Sequence, residues 1–343
     1  MTQRAPWRPP LAALLAVGGG LLVLTVLVTV TIGPADIAVA DVARSIGAHL
    51  GLGGGEVPRL VDAIVWDLRL PRVLTAAAVG AGLAVSGAVM QSLTRNPLAD
   101  PYLLGLSSGA SLGAVAVLVV GVGLLLPVAA FAGALAALVA TLALARTGGT
   151  LTPARAVLAG LAISQLCAAG TSFVIFWTAT GDSYREILSW LMGSLAGSTW
   201  ASVAIAGSAV LVVGTVLVLS SVRLDAFAFG DTSAAALGIH VDRTRWTLMT
   251  LVALLTGAAV AVSGAIGFVG LVLPHAVSVV TGPAHRRLLP VAGVTGAIFL
   301  IWADTLARTV FDPRELPVGI VTALIGVPVF AVLLRRGRGA SWS

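Results

Sequence analysis

An all-α, polytopic membrane protein with an inverted internal repeat is the fold class this sequence predicts, and three observations predict it. Hydrophobic residues make up 58% of the 343 residues and charged residues only 10%. Several apolar runs approach 20 residues, enough to cross about 30 Å of hydrocarbon as helices. The stretch RLPRVLTAAAVGAGLAVSGAVMQSLTRNPLADPYLLG, Arg69 to Gly105, returns in weakened form 177 residues later. Between Gly80 and Gly105, ten of 26 positions are identical at that offset, among them Gly80/Gly257, the run AVSGA at 84–88 and 261–265, Pro97/Pro274 and Gly105/Gly282.

Ten spans follow in order, at about 11–32, 72–93, 102–122, 126–146, 154–178, 199–221, 246–265, 267–281, 288–306 and 317–334. The first has Arg4 and Arg8 before it and a cleavage-like Ala38-Val39-Ala40 after it, the outline of a signal peptide. Its apolar core exceeds the usual h-region of about 7–15 residues, so a retained span is predicted. The repeats occupy spans two to five and seven to ten. An odd number of spans separates them, so the copies run in opposite directions, an arrangement that marks transporters. The eighth span is short for a full crossing and is punctuated by glycine.

Gly264, Gly267 and Gly270 recur every third residue, which predicts a small face for close helix approach. Pro274-His275 predicts a break in that helix. Asn96-Pro97 is expected to play the corresponding part in the first repeat. Asn96, Pro97, Gly267 and Pro274 are therefore read as hinges or packing points.

Arginines set the orientation. With both ends inside, inner segments hold 13 arginines and outer segments seven, together with ten of the 14 acids. The positive-inside rule then places both termini in the cytoplasm. The net charge of +6 reflects this topology and does not suggest a nucleic-acid partner.

Absences narrow the chemistry. All 20 basic residues are arginine, so no lysine can be placed on the phosphates of a P-loop, and the chain is not its own ATPase. Cys167 has no second thiol and is expected to be a buried apolar filler. His49, His240, His275 and His285 lack metal-ligand spacing, so no bound metal or other cofactor is predicted. An intramembrane enzyme would need a nucleophile, a base or metal ligands clustered at one depth, and none is found; no catalytic residue is assigned.

Two long polar interruptions divide the single transmembrane unit, residues 1–343. The outer one, 33–71, carries ADVARSIGAHLG, which reads as a short amphipathic helix at the membrane face. The inner one, 222–245, reads VRLDAFAFGDTSAAALGIHVDRTR. Asp231-Thr232-Ser233 offers capping groups before an Ala-rich run, and Gly238 is placed to stop that helix. A short rigid helix of this kind suits the docking of a soluble partner; an ordinary loop helix is the alternative.

RLPRVLTAAAVGAGLAVSGAVMQSLTRNPLADPYLLGLSSGA, LAGLAISQLC, GAIGFVGLVLPH and the closing ADTLARTVFDPRELPVGIVTALIGVPVF resemble the permease subunit of type II ABC importers for ferric siderophores, haem and cobalamin. The resemblance runs from about residue 60 to 337 in the family's order. It implies ten helices per subunit, a second permease subunit (identical or paralogous), an ABC ATPase dimer that uses the ATP, and an extracytoplasmic substrate-binding protein.

By this resemblance Arg69, Arg72 and Arg308 receive carboxylates of the binding protein, a task suited to the planar, permanently charged guanidinium. Interfacial anchoring, or pairing with Asp67, Asp304 or Glu315, is the alternative. Asp231, Ala235, Leu237 and Gly238 match the coupling helix that sits in a groove of the ATPase. The path is expected along the fifth and tenth spans, with a gate in TGGTLTPA at 147–154, where Gly148 and Gly149 permit movement and Thr152 adds a hydroxyl. Ser164, Gln165, Thr171 and Ser172 add polar groups in the fifth span, explained equally by a watery path or by interhelical hydrogen bonds.

A ferric siderophore is the expected cargo, ahead of haem and cobalamin. A secondary carrier independent of ATP is the competing class, disfavoured by the Asp231 to Gly238 segment and by the lack of an intramembrane Asp, Glu or His relay.

Overall fold

The computed structural model describes residues 9–33, 35, 37–53, 57–122, 126–146, 152–178, 181–311 and 314–337. Among them fourteen helices follow in order: α1 Leu11–Thr31, α2 Val39–His49, α3 Arg59–Thr94, α4 Leu106–Val120, α5 Leu126–Arg146, α6 Pro153–Thr178, α7 Gly181–Leu191, α8 Trp200–Leu219, α9 Ser221–Ala228, α10 Asp231–Ala236, α11 Val241–Ser263, α12 Val269–Thr281, α13 His285–Thr309 and α14 Val318–Gly337. Seven of these are long and apolar enough to cross a bilayer, and α4, α12 and α14 are shorter apolar helices. They coincide with the ten predicted spans.

The amphipathic helix expected in 33–71 is α2, which buries Val42 and Ser45. Boundaries differ most at the second span. Predicted from residue 72, its helix begins at Arg59 and passes through a π-helical stretch, Ala63–Arg69. Asp62, Asp67 and Arg69 interrupt the apolar run there, so hydropathy alone starts the span too late. The short helices α7 and α9 were not anticipated.

The repeat is visible in the packing. α4 packs on α5 and α6, and α5 on α6; in the second half α12 packs on α13 and α14, and α13 on α14. Across the halves α3 lies on α13 while α11 lies on α5. Duplicated glycines serve these duplicated contacts: Gly80 faces Gly296 of α13, and its counterpart Gly257 faces Phe131 and Ala134 of α5. α3, α11 and α13 form the buried centre, whereas α1, α6 and α8 are peripheral and turn apolar side chains outward. Such exposure is what hydrocarbon surroundings require.

Close backbone approach fixes the centre. A Cβ on Gly87 would stand 1.8 Å from the Gly270 carbonyl oxygen of α12, so α3 and α12 can meet only where both lack side chains. Gly87→Ala is expected to cost about 1–3 kcal/mol by forcing the helices apart, whereas Gly19→Ala, with nothing within 4 Å of the added carbon, should be neutral or slightly stabilising. Thermal unfolding of the two variants in one detergent checks this; equal melting temperatures would contradict it.

The second-repeat break lies elsewhere than predicted. Residues 264–268 leave the helical path, with Gly264 at φ 65° and Phe268 at φ 69°, while Pro274 sits inside α12. A proline there removes the N–H that would bond the Gly270 carbonyl. Gln91 Nε2 of α3 donates to that carbonyl at 3.3 Å and to Leu271 O at 3.1 Å, so the helix continues. Gly264 presses against the Trp190 carbonyl, Gly270 against α3, and Gly267 meets nothing within 4 Å. The three glycines therefore do not share one helix face.

Asn96-Pro97, although paired with Pro274 by the repeat, sits in a different setting. It follows the α3 terminus, where Arg95 adopts φ 49°, and Asn96 Oδ1 accepts from the Leu98 amide at 2.9 Å, an Asx-type turn. Asp100 then caps a 3-10 turn, Pro101–Leu104, through the Tyr102 amide at 2.8 Å. Tyr102 Oη donates to Ile266 O at 3.0 Å and accepts from Ile266 N–H at 3.2 Å, joining the first repeat to the break in the second.

Candidate functional site

Three groups of residues stand apart from the packed centre, at one end of the bundle, at the opposite end, and along α6. At the first end α10 is preceded by Gly230, whose φ of 96° suits glycine. No side chain caps this helix, contrary to the expected use of Asp231, Thr232 and Ser233. Asp231 is instead committed to Arg245 of α11, with Nη2 donating at 2.6 Å. Arg245 is only 2% exposed, and its guanidinium lies over the Phe227 ring of α9 at 5.3 Å. One buried arginine thus braces α10 to two neighbours.

Gly238, at φ 80°, ends α10 as predicted. Its amide donates to Ala235 O at 2.9 Å and the Ile239 amide to Ala234 O at 3.1 Å, the paired bonds of a Schellman stop. Ala234 is buried under the helix while Ala235, Leu237 and Gly238 are exposed, Leu237 at 71%. A rigid knob with a bare leucine at its tip results.

At the opposite end the three predicted arginines meet around a cavity of about 320 Å³ that Ala35, Ile64, Leu68, Ser198 and Glu315 also line. They are not open receptors. Arg69, Arg72 and Arg308 are 6%, 9% and 4% exposed. Arg72 forks onto both oxygens of Asp304, at 2.8 and 3.0 Å, and reaches Glu315 at 2.8 Å. Arg69 donates to the carbonyls of Val30, Thr31 and Ala35, and Arg308 donates to Thr29 O at 2.6 Å. The carbonyls of Thr29, Val30 and Thr31 end α1 and lack helical donors, so two of the arginines cap that span. Sequence reasoning had offered Asp304 and Glu315 as alternative partners for these arginines, and for Arg72 both apply.

Along α6, Thr171 is buried and its hydroxyl donates to Cys167 O at 2.9 Å. Ser164 is half-buried, and Gln165 and Ser172 are exposed two turns apart on one face. Cys167 is half-buried, not enclosed as expected. Thr152, just before α6, accepts from the Arg155 amide at 3.4 Å. Gly148 and Gly149 of the expected gate lie outside the described residues. The structure brings the arginines together and separates them from α10 by the full height of the bundle.

Comparison with known proteins agrees with this architecture. Residues 21–336 match the FecCD transport family. The cobalamin import system permease protein BtuC of Halobacterium salinarum is 42% identical, over 93% of this chain and 95% of its own length. The hemin transport system permease protein HmuU of Yersinia pestis is 45% identical over 80% of this chain and 84% of its own. The Fe(3+) dicitrate transport system permease protein FecD of Escherichia coli is 42% identical, over 80% of this chain and 86% of its own. A solved structure described as an inward-facing, metal-chelate type ABC transporter superposes with a TM-score of 0.84 at 31% identity, covering 95% of this chain and 99% of that one. With the family matched across nearly the whole chain and the ten-span fold shared, this chain belongs to the FecCD transport family, as a membrane permease without an ATPase site of its own.

Proposed function

We propose that this chain is the permease of an ABC importer that takes up a ferric chelate, a ferric siderophore foremost, from an extracytoplasmic binding protein and is driven by a separate ATPase dimer. The observation that carries the reading is the braced and exposed α10, a mechanical part that a self-sufficient carrier does not need. By the arginine distribution α10 and both termini are cytoplasmic. Asp231 holds the knob in place while Ala235, Leu237 and Gly238 present its contact surface to the ATPase.

At the extracytoplasmic end the cavity framed by Arg69, Arg72 and Arg308 receives the binding protein. Of the two carboxylates on Arg72, Glu315 is the more accessible, its side chain 42% exposed against 2% for Asp304. An incoming carboxylate can exchange with Glu315 without disturbing the buried pair. Gln165 and Ser172 on the outward face of α6 belong to a watery path shared with a second permease subunit, for an exposed amide at mid-span is costly against lipid. The 147–154 loop, with Gly148, Gly149 and Thr152, forms the gate.

Relatives named for ferric dicitrate and haemin support the iron reading. The 42% identity to a cobalamin permease over 93% of the chain supports cobalamin as the second reading. Cells lacking this gene, and the same cells with it restored, are to be tested for energy-dependent uptake of radio-iron siderophores, haemin and labelled cobalamin. Iron-siderophore uptake lost and recovered is the expected outcome; loss confined to cobalamin would replace the iron reading, and loss of none would overturn all three cargo readings.

A further inference from the structure

A groove of about 520 Å³ runs along the outer side of the bundle between α1, α3, α8 and α13. Apart from Thr215 its walls are apolar or small, Leu74, Ala78, Gly207, Gly214 and Gly293 among them. Its lining on α8 extends from Val203 to Leu219, about 24 Å at the helical rise, or most of the hydrocarbon thickness. The α8 wall contains a π-helical turn, Val210–Gly214, a departure from regular geometry that often accompanies binding sites. The volume falls in the range of small-molecule sites.

The mouth nearest α10 is positively charged. Arg286 lies three residues before Leu289 and Arg287 three before Pro290, so each shares a helix face with a groove residue. Arg223 follows Leu219 by four residues, on α9 beyond the break at Ser220. Asp225 Oδ1 accepts from the His285 amide at 2.9 Å and meets His285 Nδ1 at 2.6 Å, tying α9 to the start of α13 and occupying the nearby carboxylate. Arg223, Arg286 and Arg287 form no ion pair among the described residues.

We propose that this groove holds one acyl chain of an anionic phospholipid whose headgroup is bound by Arg223, Arg286 and Arg287. The chain fills the apolar channel along α8 while the phosphate meets the arginines at the membrane surface. The site is independent of the cargo and of the path along α6.

Purified protein equilibrated with equimolar phosphatidylglycerol and phosphatidylcholine of the same acyl chains, then examined by native mass spectrometry, tests it. The unaltered protein should retain phosphatidylglycerol over phosphatidylcholine, by roughly five-fold per arginine. Gly207→Trp, whose side chain enters open space in the groove, should lose at least half of the retained lipid. The triple variant Arg223→Gln, Arg286→Gln and Arg287→Gln should keep retained lipid but lose the headgroup preference. Equal retention of the two lipids by the unaltered protein, or undiminished retention in Gly207→Trp, would overturn the proposal. A changed oligomeric state in Gly207→Trp would also overturn it, by assigning the groove to a second copy of the chain.

Discussion

Ala235→Asp combined with Leu237→Asp should leave the permease folded and inserted and should abolish its association with the ATPase. Both residues are exposed, so the fold itself should shift by no more than about 0.5 kcal/mol. In a docked complex the leucine tip would be desolvated, and a carboxylate in its place would be buried without a partner. Loss of a central anchor costs about 2–4 kcal/mol, or roughly 30-fold or more in affinity. Gly238 is left untouched because its φ of 80° would strain any replacement and confuse stability with docking. Co-purification of a tagged ATPase and chelate-stimulated ATP hydrolysis are the readouts; an undiminished complex would remove α10 from the coupling surface.

Arg72→Met should be among the most destabilising single changes in the chain. It leaves the Asp304 carboxylate, 2% exposed, without the fork that neutralises it, and stranding a buried charge costs about 3–5 kcal/mol. Adding Asp304→Leu should restore most of the loss, since an apolar pair of similar volume requires no desolvation of charge. Arg72→Lys should fall between, keeping the charge but losing the bidentate geometry. Melting temperatures of the unaltered protein, Arg72→Met alone, Asp304→Leu alone and the double variant form a cycle that isolates the pair; a double variant no more stable than Arg72→Met would show that the pair is not what matters. The same cycle protects the docking reading. Reduced uptake in Arg72→Met alone would reflect instability, whereas reduced uptake in a stable double variant would reflect a lost contact with the binding protein.

The spans, the repeat and the α10 stop were legible in the sequence because each rests on a local rule: apolar run length, identity at a fixed offset, and a glycine after an alanine-rich turn. What could not be read was set by distant partners. Asp231 looked like a capping residue, and only the fold brings Arg245 against it. Pro274 looked like a break, and only the approach of Gln91 shows how the helix survives it. Arg69 and Arg308 looked like outward receptors because a sequence does not show that α1 ends beside them with bare carbonyls. The extra length of α3 was hidden by charges that the helix carries beyond the apolar stretch. For the exposed Gln165 the sequence left two explanations open, and exposure of the side chain favours the path over an interhelical bond.

The two hydrogen bonds between Tyr102 Oη and the backbone N–H and carbonyl of Ile266 have a mechanical meaning. A phenol in one half grips both polar atoms of one residue in the other, and the Gly87–Gly270 and Gly80–Gly296 contacts lock backbone to backbone nearby. Rocking one repeat against its twin would have to break all three seams at once, in surroundings where no water can replace the lost bonds. The duplicated halves are therefore welded into a single stiff plate. Motion of one half against the other is therefore costly, and the chain can shift most cheaply along the bare outward faces of α1, α6 and α8.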